Sequence, residues 1–230
     1  MRVHSGYRTR EVTTIMSKSV SRIAVFYDGS FFHKVSSYYK YQHETGSFLA
    51  FSGLHEFIRH RVAQREGVDV RLCQIVESHF FRGRFSLSAA KAAGALEADR
   101  FLDQLLMYAG IVSHYYPMNE NVSPPQEKGI DVWLALEAYD LAVHKGFDVF
   151  VLVAGDQDFV PLVRKINGLG TRVMLIGADM EWDDRNGVSR YINTSRRLIE
   201  EAAYPILINK EIEAHAERPD PVVEGLFRNF

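Results

Sequence analysis

Four aspartates stand where their chemistry would count: Asp28, Asp131, Asp156 and Asp158. Asp28 ends the β-rich run Arg22–Tyr27 and precedes Gly29. Asp156 and Asp158 follow the apolar run 147–154 in Ala154-Gly155-Asp156-Gln157-Asp158-Phe159. They lie two apart, so an extended segment would project both to one side. Asp158 also falls where a helix N-cap belongs, with Pro161 in the first turn, where a missing N–H costs little. Asp131 opens a helical pattern in Lys128-Gly129-Ile130-Asp131. Singly, each acid has a plainer role as cap, turn residue or helix-dipole acid. Gathered in one crevice, they would repel each other unless protons or a cation neutralised them. Short carboxylates suit Mg²⁺ or Mn²⁺, which retain waters and bind a substrate phosphate. Such a metal activates water and stabilises the leaving oxygen of a phosphodiester.

These acids need elements to bring them together. The chain alternates β-rich and helical segments. Strands are expected at 22–27, 68–76, 111–116, 147–154, 171–176 and 206–208. The fourth, apolar on both faces, reads as a central parallel strand. Helices are expected around Leu54–Val62, Ala98–Ala109, Val132–Val143, after Phe159, and at Ser195–Ala203. Gly67, Gly110 and Gly146 stand as helix stops. Repeated strand–helix–strand units predict a parallel sheet with helices on both faces. If the first three strands wind outward and the fourth returns beside the first, a switch point forms between strands one and four. Both would then deliver their acids to the crevice where open α/β sheets bind ligands.

The chain has 230 residues, ordinary globular composition and a net charge of −2, from 27 Lys+Arg and 29 Asp+Glu. Residues 1–20 carry +3, leaving −5 elsewhere. A protein that coats nucleic acid nonspecifically is usually basic. A nucleic-acid site here must be a local patch or carry its positive charge on a metal. No apolar run reaches the ~18 residues of a membrane span. One cysteine, Cys73, excludes an internal disulfide and a multi-Cys zinc site, and its mid-strand place predicts a buried small hydrophobe. Residues 1–20 have no apolar signal core and read as a disordered leader, with a start at Met16 or a transit peptide as alternatives. Residues 21–208 read as one domain and 209–230 as a polar tail, a short helix at its start.

The segments AVFYDG, KGIDVWLALEAYDLA and FDVFVLVAGDQDFVPLVRKINGLGTRVMLIG resemble an NYN domain, of the LabA-like branch of the PIN-like nuclease superfamily. The resemblance covers about Arg22–Ile208. It implies a three-layer α/β/α sandwich with a central, mainly parallel sheet. It implies a cytoplasmic, Mg²⁺- or Mn²⁺-dependent ribonuclease acting on single-stranded or tRNA-like RNA. On it, Asp28, Asp131, Asp156 and Asp158 would hold metal or orient the attacking water, and Lys128 would meet a phosphate. Phe31 stands where the family often has Asn. That departure favours an alternative, an RNA-binding or regulatory protein with weak or no catalysis, with Ser30 as a partial substitute.

His33, Tyr38, Tyr39, Lys40, Tyr41 and His43 follow the first acid, an interleaving that can stack bases and meet phosphates. His79, Arg82 and Arg84 follow the second strand at the same edge, and Arg grips phosphate bidentately. Ser30, His33, Arg82, Arg84 and Lys128 are thus the candidate RNA contacts. His114 reads as a core or edge histidine. The acidic run Asp179, Glu181, Asp183 and Asp184 reads as a solvated loop, with a supplementary metal ligand as the alternative. Glu137 and Asp140 read as surface. A haloacid-dehalogenase-type phosphatase is disfavoured because Ser30 stands where its second first-strand Asp belongs. No G-x-G-x-x-G follows the first strand, which disfavours a dinucleotide-binding dehydrogenase.

Overall fold

The computed structural model describes residues 20–184 and 186–227; the leader reading thus lies almost wholly outside the described residues. In chain order the elements are β1 (Ser21–Asp28), α1 (Gly29–Tyr41), α2 (Phe51–Glu66), β2 (Cys73–Arg84), α3 (Leu87–Ala92), α4 (Leu96–Tyr108), β3 (Val112–Pro117), α5 (Ile130–Lys145), β4 (Val149–Val153), α6 (Val160–Gly168), β5 (Arg172–Gly177), β6 (Met180–Asp183), β7 (Ser189–Ile192), α7 (Arg196–Glu201), β8 (Tyr204–Leu207), α8 (Ile208–Glu217) and α9 (Pro221–Glu224). Six strands form one parallel sheet in the order β3-β2-β1-β4-β5-β8. The expected switch point therefore exists, between β1 and β4.

Period-2 alternation sorts β1 between two cores. Ile23, Val25 and Tyr27 enter one, with Phe32, Phe51, Leu54 and Phe80. Ala24 and Phe26 enter the other, with Phe81, Leu134, Phe150 and Phe159. All five residues of β4 are buried, as a strand covered on both faces requires. Cys73 is fully buried.

Four segments depart from the sequence reading. β2 starts at Cys73 and runs on to Arg84, so His79, Arg82 and Arg84 lie in the strand rather than after it. The extension is carried by Phe80 and Phe81, one packed into each core, and by β3, which pairs with His79–Arg84. The acidic run lies largely in a β6–β7 hairpin. Asp184 closes its turn, accepting from the Asn186 and Val188 N–H groups and pairing with Arg190, so this carboxylate is committed locally. The segment read as a polar tail forms α8 and α9, which bury Ile212 and Val223, and Leu226 beyond them is also buried.

The fourth departure concerns α5. The helix forms as expected, but it buries Ile130, Leu134, Ala138 and Ala142. Of the residues that marked it in the sequence, Val132, Leu136, Tyr139 and Val143 are exposed, and Ala135 alone packs partly against the core. The helix is apolar on opposite faces, and periodicity alone does not choose between them. The sheet takes the face with two alanines, whose small side chains let the helix approach the ring layer of Phe26, Phe81 and Phe150.

Candidate functional site

Asp28 is the last residue of β1 and the N-cap of α1. Its Oδ1 accepts from the Ser30 and Phe31 N–H groups, both at 3.0 Å. The turn between them is tight against β2. A Cβ on Gly29 would sit 2.6 Å from both the Phe80 ring and the Phe81 carbonyl oxygen, so close approach is what requires glycine there. β4 ends at Val153, and Ala154 and Gly155 carry the chain to Asp156. Asp156, not Asp158, is the cap. Its Oδ1 accepts from the Asp158 N–H at 2.9 Å, starting one 3₁₀ turn that holds Asp158 before α6 begins with Pro161 in its first turn. The two acids are therefore set by this turn rather than by an extended segment. Asp131 lies in the first turn of α5, where the helix dipole favours it.

The charges of Asp156 and Asp158 reach Asp131, and that of Asp131 reaches Asp28. Burial first, then the charges of Asp131 and Glu127, raise the Asp28 carboxyl to about 6, against the lowering of its two backbone hydrogen bonds. Asp131 is raised by partial desolvation and by Asp156, Glu127 and Asp158. No lysine or arginine pairs with any of the four among the described residues. Asp131 is thus coupled electrostatically to Asp28, Asp156 and Asp158 beside the carboxyl ends of β1 and β4, a region with negative charge in excess.

Glu127 is the member that sequence reasoning missed. It comes from the loop between β3 and α5. One carboxylate oxygen accepts from the Ser30 hydroxyl and the other from the Gly83 N–H, each at 2.5 Å. Gly83 leaves room for it, since a Cβ there would lie 2.5 Å from Glu127 Cγ. Glu127 so ties the β1–α1 turn to the tip of β2 while adding charge beside Asp28. In the sequence it is a lone acid in an aperiodic loop, and its one signal is its place directly before Lys128-Gly129. Glu127→Gln is expected to keep the acceptor at one contact and to bring the Asp28 midpoint below about 6. ¹³C NMR titration of the carboxyls checks this, and an unchanged midpoint would leave burial and the charge of Asp131 as the causes.

The candidate RNA contacts divide. Ser30 is held by Glu127. His33, one helical turn along α1, is exposed, and its imidazole is lowered by its surroundings and by the charge of Arg82. Arg82 sits near the end of β2 and Lys128 is exposed beside Asp131. Arg84 is already engaged: its guanidinium pairs with Asp103 at 2.8 Å and stacks 4.0 Å over the Tyr115 ring. Tyr38, Tyr39, Tyr41 and His43 lie around the far end of α1, roughly 15 Å along the helix from Asp28. Tyr39 is buried and Tyr38 packs on Trp182, so these two serve packing, whereas the Tyr41 ring meets Phe48 at the surface. His114 stacks on Phe81 at 4.2 Å and bonds to His79 at 2.9 Å, a half-buried histidine on the edge strand β3 with its imidazole lowered to about 4 by burial and by His79.

Phe31 has a packing role. Its ring lies under Gly155, where a Cβ would come within 2.6 Å of it, so the residue after Asp28–Ser30 supports the turn that carries Asp156 and Asp158. The donor set fits a hard divalent cation, being carboxylate oxygen in excess with no cationic partner. Among the described residues, however, no three His, Cys, Asp or Glu side chains converge closely enough to hold one. Binding would require these carboxylates to stand closer together than they do here.

Three comparisons bear on this arrangement. The family model described as NYN domain matches residues 22–206. A protein described as uncharacterized from Methanocaldococcus jannaschii is 33% identical over 63 residues, covering 27% of this chain, and the match spans only 26% of that relative. The crystal structure of a protein of unknown function from Vibrio parahaemolyticus superposes with a TM-score of 0.53 at 19% identity, covering 84% of this chain and 96% of the other. That likeness speaks for the fold.

Proposed function

The chain belongs to the NYN domain family of the PIN-like superfamily, and on that premise we propose that it is a metal-dependent ribonuclease acting at the carboxylate crevice between β1 and β4. NYN domains are typically nucleases and generally bind RNA, and PIN-like nuclease domains generally use divalent metals. The observation that carries the reading is the mutual charge of Asp28, Asp131, Asp156 and Asp158. At a sheet switch point the charge of Asp131 raises the proton affinity of Asp28, those of Asp156 and Asp158 raise that of Asp131, and among the described residues none of the four has a cationic partner. Asp28 and Asp131, with Asp156 or Asp158, would hold Mg²⁺ or Mn²⁺. A bound divalent cation supplies charge neutralisation at the phosphate and Lewis-acid stabilisation of the leaving oxygen. The remaining Asp156 or Asp158 carboxylate orients a water and takes its proton as the water oxygen bonds to phosphorus and the P–O ester bond breaks. Lys128, Arg82 and His33 meet the RNA phosphates. Ser30 positions the turn through Glu127, and Arg84 contributes only what its own ion pairs leave free. Single-stranded or tRNA-like RNA is the proposed substrate, met in the cytoplasm.

A second reading, an RNA-binding regulatory protein without turnover, is favoured by Phe31 in the place where the family often has Asn. The experiment that separates the two is incubation of the purified protein with end-labelled single-stranded and structured RNAs in Mn²⁺, Mg²⁺ or EDTA. Metal-dependent cutting supports the nuclease. Retained RNA binding without cutting in any metal selects the second reading. Under either, Arg82→Gln is expected to weaken RNA binding and to lower the salt dependence of affinity by about one phosphate contact. An unchanged salt slope in fluorescence anisotropy would remove Arg82 from the interface.

A further inference from the structure

Among the described residues the outer face of α5 has no partner. Val132, Leu136, Tyr139 and Val143 are 64%, 66%, 39% and 48% exposed, and lie opposite the Leu134–Ala138–Ala142 face that packs on the sheet. Their spacing of four, three and four residues is that of a coiled-coil seam, in which apolar positions repeat every 3.5 residues. Single exposed apolar side chains are ordinary, but four in register down one helix make a stripe.

We propose that this stripe is a homodimer interface, in which α5 of one copy lies antiparallel against α5 of a second. The order of the stripe points to that occupant. Read from either end it is Val, a large side chain, a large side chain, Val. A two-fold axis between Glu137 and Ala138 therefore sets Val132 against the partner's Val143 and Leu136 against the partner's Tyr139. A C₂ contact requires this self-complementarity, since the same patch must serve both copies. In that arrangement the two helix dipoles are opposed, which favours the antiparallel pairing. Four side chains fall short of the ~800 Å² per partner of a standard interface, so the association is weak and concentration-dependent.

Sedimentation velocity from micromolar to near-millimolar protein tests it. The wild type is expected to pass from monomer to dimer over that range. Leu136→Lys combined with Tyr139→Lys sets like charges across the axis and is expected to hold the protein monomeric. Leu136→Lys combined with Tyr139→Glu sets opposite charges face to face in the antiparallel register and is expected to restore the dimer. Both positions are exposed, so circular dichroism and thermal midpoints should be alike in all three proteins. A wild type that stays monomeric overturns the proposal and leaves the stripe to a foreign helix or to no partner. A dimer that survives the double-lysine variant overturns it by placing the interface elsewhere. A dimer lost in both variants overturns the antiparallel register.

Discussion

Asp28→Asn is expected to stabilise the metal-free protein at neutral pH and to lower RNA cleavage by roughly 10²–10³-fold. The two effects have one origin. Asp28 sits at the end of a central strand beside Glu127 and Asp131, and its carboxyl is raised from 3.8 to about 6. The folded protein therefore holds a proton there between pH 4 and 6 that the unfolded chain has already released. Stability falls as pH rises through that window and is flat above it. A shift of about two units corresponds to at most roughly 2–3 kcal/mol. Asparagine cannot ionise, and its side-chain oxygen still accepts from Ser30 and Phe31 as an N-cap. The advantage of the variant should thus be absent near pH 4, grow to pH 6 and hold at pH 7. Urea unfolding in EDTA at these three pH values measures it. Added Mn²⁺ should then raise the wild-type midpoint more than that of the variant. A variant less stable than wild type at pH 7 would show that the Asp28 charge is compensated rather than strained.

Phe31→Asn brings the chain closer to the motif often seen in its family, yet it is expected to cost about 3–5 kcal/mol and to yield no gain in cleavage. The Phe31 ring is buried and fills the space beneath Gly155, beside Phe32, Leu54 and Val153. Asparagine would leave a cavity and place an amide among apolar side chains. The expected fall in thermal midpoint is about 10 °C or more for a domain of this size. Loss of the ring would also free the Gly155–Asp158 turn. A variant as stable as the wild type and more active would show instead that Phe31 is a lesion in the site rather than its support.

The parts legible in the sequence were those set by strong local patterns. Apolar runs ended by an acid, and helices stopped by glycine, marked β1 and β4 with the acids that follow them, while the switch point rested on an assumed strand order that the sheet bears out. The rest depended on partners distant in the chain. Glu127 matters because Ser30 and Gly83 meet it, and no local pattern announces that. The outer half of β2 is held by β3 and by two cores, although Ser78–Arg84 reads as mixed and polar. The β6–β7 hairpin has strands of four residues, too short for alternation to show against an acidic background. Helix α5 could be read as a helix, but with two apolar faces only the presence of the sheet decides which is buried.

The central claim is that the carboxylate crevice cuts RNA with a divalent cation. It is tested most directly by cleavage of one end-labelled RNA by the wild type and by Asp156→Asn, with RNA binding measured on the same preparations in Mn²⁺ and in EDTA. The expected result is Mn²⁺-dependent cleavage by the wild type, abolished by EDTA, and lost in Asp156→Asn while that variant still binds the RNA. Cleavage that persists in Asp156→Asn, or that EDTA leaves untouched, would contradict the assignment of the site.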